Sequence, residues 1–232
     1  MMDGYQRRQG EQEEFETLWV EPPFETQLRN PLTDRPSQKF MAGGRADAIV
    51  SHGGSYFLVE HKTAARVDAD YLGNLPSDFQ IHYYGHYIGR ALGLPIKGTI
   101  YNILGKSRLK IRKNESAEDY GERLRVDQLR PELYERFEVI FEPRTIERHR
   151  RTAWNVAKVI TRATKSEVFT ENPSECRGIL GKCPYVSLCD SCDHPAVLAT
   201  YEYKPAHSEL IEEDSNESNA PDGENGSGRG SF

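Results

Sequence analysis

Two short apolar runs, residues 46–50 and 56–59, meet at His52-Gly53-Gly54-Ser55 and predict a β-hairpin. Gly-Gly suits a two-residue turn, because its tightest form needs positive φ at both central positions. In that register His52 faces Ser55 and Asp47 faces Glu60, while Lys62, two residues beyond Glu60, lies on the same face. Residues 75–89 read as a helix, with Pro76 in its first turn and Ile81, Tyr84, Ile88 and Leu92 near helical spacing. Gln80, Tyr84 and Tyr87 fall on one stripe of it. Residues 15–21, 97–104 and 137–142 read as strands, the second close enough to the helix for a βαβ-like crossover. A short helix is expected over 117–124. A long one is expected over 143–165, with Ile146, Ala153, Val156, Val159 and Ile160 inward.

The charges in the hairpin change this picture. A buried carboxylate without a partner costs several kcal/mol. Opposed carboxylates repel unless a cation lies between them. Asp and Glu oxygens suit Mg²⁺ or Mn²⁺, which leaves positions for water and a phosphate. An ammonium beside such an ion can orient water or offset charge on a phosphoryl transition state. The plainer alternative is a solvated hairpin face carrying Asp47 and a Glu60–Lys62 pair for solubility. On the following helix, a Gln amide and a Tyr hydroxyl can hold a phosphate or orient a carboxylate. The plainer alternative there is tyrosines packed on the sheet.

The net charge of −6 is unfavourable for a nucleic-acid partner until it is divided. Residues 208–232 hold seven acids against Arg229, so the remainder is neutral overall. That Ser-, Asn- and Gly-rich tail is expected to be disordered. In the body, Lys106, Arg108, Lys110 and Arg112 alternate at period two and on a strand would form one basic face. The long helix carries Arg144, Arg148, Arg150, Arg151, Lys158, Arg162 and Lys165 against Glu147. A solvated face explains any one such run, but two of them beside a metal-site motif favour a nucleic-acid groove.

All four cysteines, Cys176, Cys183, Cys189 and Cys192, lie close together. No apolar run approaches 18 residues and no signal-peptide core follows Met1, so the expectation is a cytoplasmic protein with no membrane association. Such a compartment argues against disulfides, and the clustering reads as a metal site, an iron–sulfur cluster or tetrahedral zinc, with no stable metal as the third alternative.

The ordered set Gly44-x-x-Asp47, Glu60-x-Lys62 and Gln80-x-x-x-Tyr84 resembles the PD-(D/E)XK nuclease superfamily. "LVEHKTA" followed by "DADYLGNLPSDFQIHYY" is similar to its RecB-like branch of phage and prophage exonucleases, related to CRISPR-associated nucleases. The likeness runs over roughly 24 to 192. It implies an α/β restriction-endonuclease-like core, a mixed central sheet flanked by helices, with a C-terminal cysteine cluster. It assigns the metal to Asp47 and Glu60, catalysis to Lys62, and support of the site to Gln80 and Tyr84. It also implies a [4Fe-4S] cluster on Cys176, Cys183 and Cys189, with Cys192 in place of a fourth cysteine that the family carries ahead of the core.

The family's N-terminal helix, which supplies a further acid or histidine, is not legible before Gly44, where Glu13, Glu14 and Glu25 are the candidate acids. The expected organisation is a nuclease-like domain over 1–205, its cysteines at 172–195, and an acidic tail over 206–232. The expected function is a Mg²⁺-dependent deoxyribonuclease, an exonuclease of phage recombination or DNA processing, partnered by DNA and by a recombination or single-strand-annealing protein. Two other classes stand beside it: a catalytically impaired binding remnant of such a nuclease, and a zinc-binding regulatory protein that leaves the 44–84 pattern unexplained.

Overall fold

The computed structural model describes residues 2–10, 14–170, 172, 174, 176–178, 181–191 and 194–203. The chain divides into two compact units, Met1–Val168 and Phe169–Phe232.

The first unit opens with α1 (Met2–Tyr5) and a single π turn, followed by β1 (Glu16–Val20). Then come β2 (Pro23–Arg29) and β3 (Pro36–Arg45), paired with each other as a separate antiparallel ribbon. The predicted hairpin is β4 (Ala48–His52) and β5 (Ser55–Ala64). After it follow α2 (Ala69–Asn74), a 3₁₀ turn, α3 (Phe79–Leu92), β6 (Ile96–Gly105), α4 (Ala117–Asp127), β7 (Tyr134–Ile140) and α5 (Pro143–Ser166). The central sheet has the order β1-β4-β5-β6-β7. Only β5 and β6 are parallel, and α3 lies in the crossover between them. Gly53 and Gly54 take φ of 54° and 72°, and the register pairs His52 with Ser55 and Ala48 with Val59.

Strand alternation splits β5 between two cores. Leu58 joins Phe24, Leu28, Ala42, Ile49, Tyr87, Ile88, Ala153 and Ala157 beneath α3, α5 and the β2–β3 ribbon. Phe57 and Val59 face the other way, with Ala48, Val50 and Ile100 against Phe15. Burying a Leu, Ile or Phe contributes about 1.5–3 kcal/mol each, enough to offset a costly polar group on the same strand.

At the tip of the β2–β3 ribbon, Asp34 gathers Arg29 (3.1 Å), Arg150 (3.0 Å) and Arg90 (3.6 Å). Desolvation is the largest single influence on it and opposes its charge. The hydrogen bond of Arg29 and the nearby guanidinium charges outweigh this and hold its carboxyl below the usual range. This acid ties the ribbon to α3 and α5.

Three expectations need correction. Residues 106–112 are not a strand: β5 and β6 end together at Ala64 and Gly105, the Lys106 amide caps the pair by donating to the Ala64 carbonyl (2.8 Å), and no neighbouring strand extends past them. The α3 helix begins at Phe79, with Asp78 as its N-cap, and Pro76 belongs to the preceding 3₁₀ turn. On α5 the buried residues are His149, Ala153 and Ala157, while Val156, Val159 and Ile160 are about half exposed. Small side chains let α5 approach α3 closely, and the bulkier ones turn outward.

In the second unit, β8 (Arg177–Gly178) pairs with β9 (Gly181–Lys182), and α6 (Val186–Asp190) and α7 (Pro195–Leu198) follow. Tyr185 and Tyr201 stack with centroids 5.9 Å apart, and the Tyr201 hydroxyl donates to the Pro184 carbonyl (2.7 Å). The expected tail over 206–232 and Cys192 lie outside the described residues. Among the described residues no helix is long and apolar enough to cross a membrane.

Candidate active site

Glu60 and Lys62 project from β5 on the face that α3 covers, where the alternation that buries Leu58 also carries them inward. Glu60 is only 7% exposed. Lys62 Nζ donates to Glu60 Oε1 at 2.6 Å and to Gln80 Oε1 at 3.2 Å. Gln80 reaches the lysine because it sits in the first turn of α3, which lies over β5. Its amide oxygen thus holds the ammonium rather than a carboxylate.

Asp47 stands one residue ahead of β4, where continuing the hairpin register sets it opposite Glu60. Its Oδ2 accepts the His61 N–H at 2.7 Å, and its carbonyl accepts the Glu21 N–H at 2.8 Å. It is fixed from both sides while remaining partly open to solvent.

The electrostatics follow from burial. Desolvation pushes the Glu60 carboxyl up, and the charges of Asp47 and Asp78 add to this against the opposing bond from Lys62. For Lys62, burial works against the ammonium. The Glu60 hydrogen bond and charge, with Asp78 and Asp47, overcome it and raise its pKa. The lysine therefore keeps its proton at neutral pH.

Asp78 is the residue that motif reading missed. Its Oδ1 caps α3 by accepting the Gln80 N–H (2.8 Å), its Oδ2 accepts from the Tyr101 hydroxyl (3.1 Å), and its carbonyl lies 2.7 Å from His82 Nδ1. A carboxylate-bearing residue directly before an apolar-periodic run is an N-cap signal, and "PSDFQI" carries it. This cap fixes where Gln80 begins the helix.

The remaining expected residues are distributed differently. Tyr84 does not join the Lys62 cluster; its ring packs against Gly44 and meets Phe24 edge-on at 5.3 Å. Tyr87 is fully buried in the core. Lys106 and Arg108 line a cavity of about 220 Å³ at the carboxyl ends of β5 and β6, but Asp127 and Glu132 share it. Farther on, the Arg112 backbone N–H donates to Glu115 (2.8 Å) and the Lys110 carbonyl accepts from Arg123 (2.9 Å), and all four cations are exposed along this irregular segment. Of the candidate acids ahead of Gly44, Glu25 lies exposed on β2, Glu14 is exposed, and Glu13 lies outside the described residues.

Among the described residues no three His, Cys, Asp or Glu side chains converge as a metal-binding group. The oxygen pair facing Lys62, Asp47 and Glu60, still fits Mg²⁺, which takes one or two protein carboxylates and keeps the rest of its shell for water and phosphate. In the second unit the Cys183 N–H donates to the Cys176 carbonyl (3.0 Å), which brings those two residues to one end of the β8–β9 hairpin. Cys189 lies on α6.

The sequence matches the PD-(D/E)XK nuclease superfamily over residues 1–190. The chain belongs to this superfamily. A comparison with curated proteins finds no match. Membership in a PD-(D/E)XK superfamily implies a nuclease, a hydrolase whose substrate is DNA, and nucleases of this kind generally use Mg²⁺ or Mn²⁺. The five-stranded mixed sheet with flanking helices agrees with that fold.

Proposed function

We propose that the protein is a Mg²⁺- or Mn²⁺-dependent deoxyribonuclease acting as an exonuclease, with Asp47 and Glu60 as metal ligands and Lys62 as the catalytic ammonium. The observation that carries this reading is Lys62 held between Glu60 and Gln80 on the face shared with Asp47. A divalent ion bound there would polarise the phosphodiester and lower the pKa of an attached water. Lys62, kept protonated by its surroundings, presents Nζ–H donors to the charge that develops on the phosphoryl oxygens. Gln80 is a positioning residue, and Asp78 fixes it through the helix cap.

The exonuclease role, phage-type recombination and a single-strand-annealing partner follow from the likeness to RecB-like phage enzymes. A [4Fe-4S] cluster on Cys176, Cys183, Cys189 and Cys192 rests on cysteine spacing and on that likeness. Domain limits of 1–205 and 206–232, with a cytoplasmic setting, belong to the same reading.

The test is anaerobic purification, then incubation with linear and covalently closed circular DNA in Mg²⁺, Mn²⁺ or EDTA. Loss of linear DNA only, in either metal and not in EDTA, is the expected result. Folded protein that cuts neither form in either metal would leave a binding module. Cutting of closed circles would replace the exonuclease by an endonuclease.

A further inference from the structure

On α5, seven polar residues recur at alternating spacings of four and three: Arg144, Arg148, Arg151, Asn155, Lys158, Arg162 and Lys165. At 100° per residue they share one face, opposite the buried Ala153 and Ala157, and all seven are exposed. The row is about 32 Å long at 1.5 Å per residue, with a position about every 5 Å. Six of the seven are cationic.

Arg150 does not belong to it. It is turned to Asp34 and Glu147, leaving the outward residues as the functional set. Glu147, beside the row, is shared between Arg150 and Arg151. Among the described residues Arg144, Lys158, Arg162 and Lys165 form no ion pair.

This row is not what solubility alone requires. Like charges three or four residues apart destabilise a helix, and a solvated face relieves this by mixing signs. Here Arg144–Arg148, Arg148–Arg151, Lys158–Arg162 and Arg162–Lys165 are all like pairs. Anions laid along the row remove that repulsion.

The row also starts at the end of α5 that packs against the first turns of α3. His149, next to Arg148, stacks on His82 with centroids 4.7 Å apart and meets Phe79 edge-on at 5.5 Å. Phe79 and His82 flank Gln80, which holds Lys62. The cations therefore run along a straight axis from the end of α5 that packs on α3, the helix that carries Gln80. A B-form strand winds around its duplex and meets a straight row at few points, whereas a single strand can follow it throughout. None of the seven residues is aromatic, so the row itself grips phosphates without reading sequence.

We propose that the outer face of α5 is a track for single-stranded DNA, holding the backbone of the strand that enters or leaves the active site. The proposal rests on the nuclease reading for its substrate, but its test uses binding alone.

The full chain carrying Arg151→Gln, Lys158→Gln, Arg162→Gln and Lys165→Gln is compared with wild type in EDTA, where cleavage is blocked. Binding of labelled oligonucleotides is followed by fluorescence anisotropy across a salt series. A control variant loses four other exposed cations, through Arg35→Gln, Lys39→Gln, Lys97→Gln and Lys113→Gln. Retained thermal unfolding shows both variants folded.

For a strand of about 16 nucleotides, the track variant is expected to bind at least tenfold more weakly at low salt. The log–log salt slope should become shallower by about 3, near 0.7 for each phosphate no longer neutralised. A strand of about four nucleotides should bind almost as wild type does. An unchanged slope, or a loss no greater than the control's, overturns the track. A larger loss on duplex than on single strand overturns the single-stranded occupant. A wild-type protein that cuts nothing in Mg²⁺ or Mn²⁺ yet shows the expected slopes refutes the nuclease reading and leaves the track standing.

Discussion

The ring of Tyr84 occupies the space a side chain at position 44 would need: a Cβ on Gly44 would lie 2.7 Å from Tyr84 Cε1 and 2.9 Å from the hydroxyl oxygen. Two motif residues 40 positions apart in sequence are thus one packing unit, joining β3 to the helix that carries Gln80. Gly44→Ala should push α3 outward, lower stability by about 1–3 kcal/mol as overpacking does, and reduce cleavage by moving Gln80 off Lys62. Urea unfolding of Gly44→Ala, Tyr84→Ala and the double variant gives the coupling. A favourable interaction of about 1 kcal/mol or more in the double variant is expected. Strict additivity would show that the packing is relaxed elsewhere.

The hairpin was legible because Gly53-Gly54 fixes its register, and that register alone placed Asp47, Glu60 and Lys62 on one face. The parallel crossover followed from the position of the α3 run between two apolar strands. Other parts depended on partners that local pattern does not show. The alternation of Lys106, Arg108, Lys110 and Arg112 has strand periodicity, but β6 has already run out of neighbours at Gly105. The β2–β3 ribbon is poor in large apolar residues, its inner side marked by Phe24 and Leu28 on β2 and by Phe40 and Ala42 on β3, so the period-2 signal is too sparse to announce it. On α5 the periodicity was present, but close approach to α3 selected Ala153 and Ala157 over Val156 and Val159.

Metal binding can be read without turnover. If Asp47 and Glu60 hold Mg²⁺ in the folded state only, a concentration ten times the dissociation constant adds about 1.4 kcal/mol of stability. For a domain of this size that raises Tm by about 3–6 °C. Wild type and Lys62→Ala should both show the shift, and Asp47→Asn and Glu60→Gln should not. Lys62→Ala should at the same time lose cleavage by about 100-fold or more, a loss near 3 kcal/mol of transition-state stabilisation. An equal Tm shift in the two carboxylate variants would place the ion elsewhere.

Acid should weaken the fold through the histidines of α3. Burial, with the nearby charges of Arg150 and Arg90, pushes His86 down to about 4 from its ordinary value near 6.5. Between those pH values the unfolded chain binds more protons, so stability falls as pH drops through that window. Its buried Nε2 has no partner among the described residues. Allowing for the partial exposure of the ring, its share is about 1–2 kcal/mol. His86→Gln should flatten the decline in unfolding free energy between pH 6.5 and 4 by that amount, read from urea unfolding at each pH. A wild-type decline in this variant would assign it to His82 on α3 and His149 on α5, whose pKa values burial also lowers.

The cysteines give the last prediction. The β8–β9 hairpin already sets Cys176 and Cys183 side by side through the Cys183 N–H to Cys176 carbonyl bond, and Cys189 follows on α6. A cluster spanning them would order the connecting loops as it binds, coupling metal to folding of this unit. Anaerobic protein should then be brown, with broad visible absorbance and close to four irons per chain. Cys176→Ala, Cys183→Ala and Cys189→Ala should each abolish the colour. Cys192→Ala decides the fourth ligand: loss of colour makes the unit self-contained, and retained colour with four irons points to a non-cysteine ligand. Colourless wild-type protein with one equivalent of zinc would instead make this a structural thiolate site. In either case cleavage would still depend on Asp47, Glu60 and Lys62, because the hairpin that presents them is built entirely within the first unit.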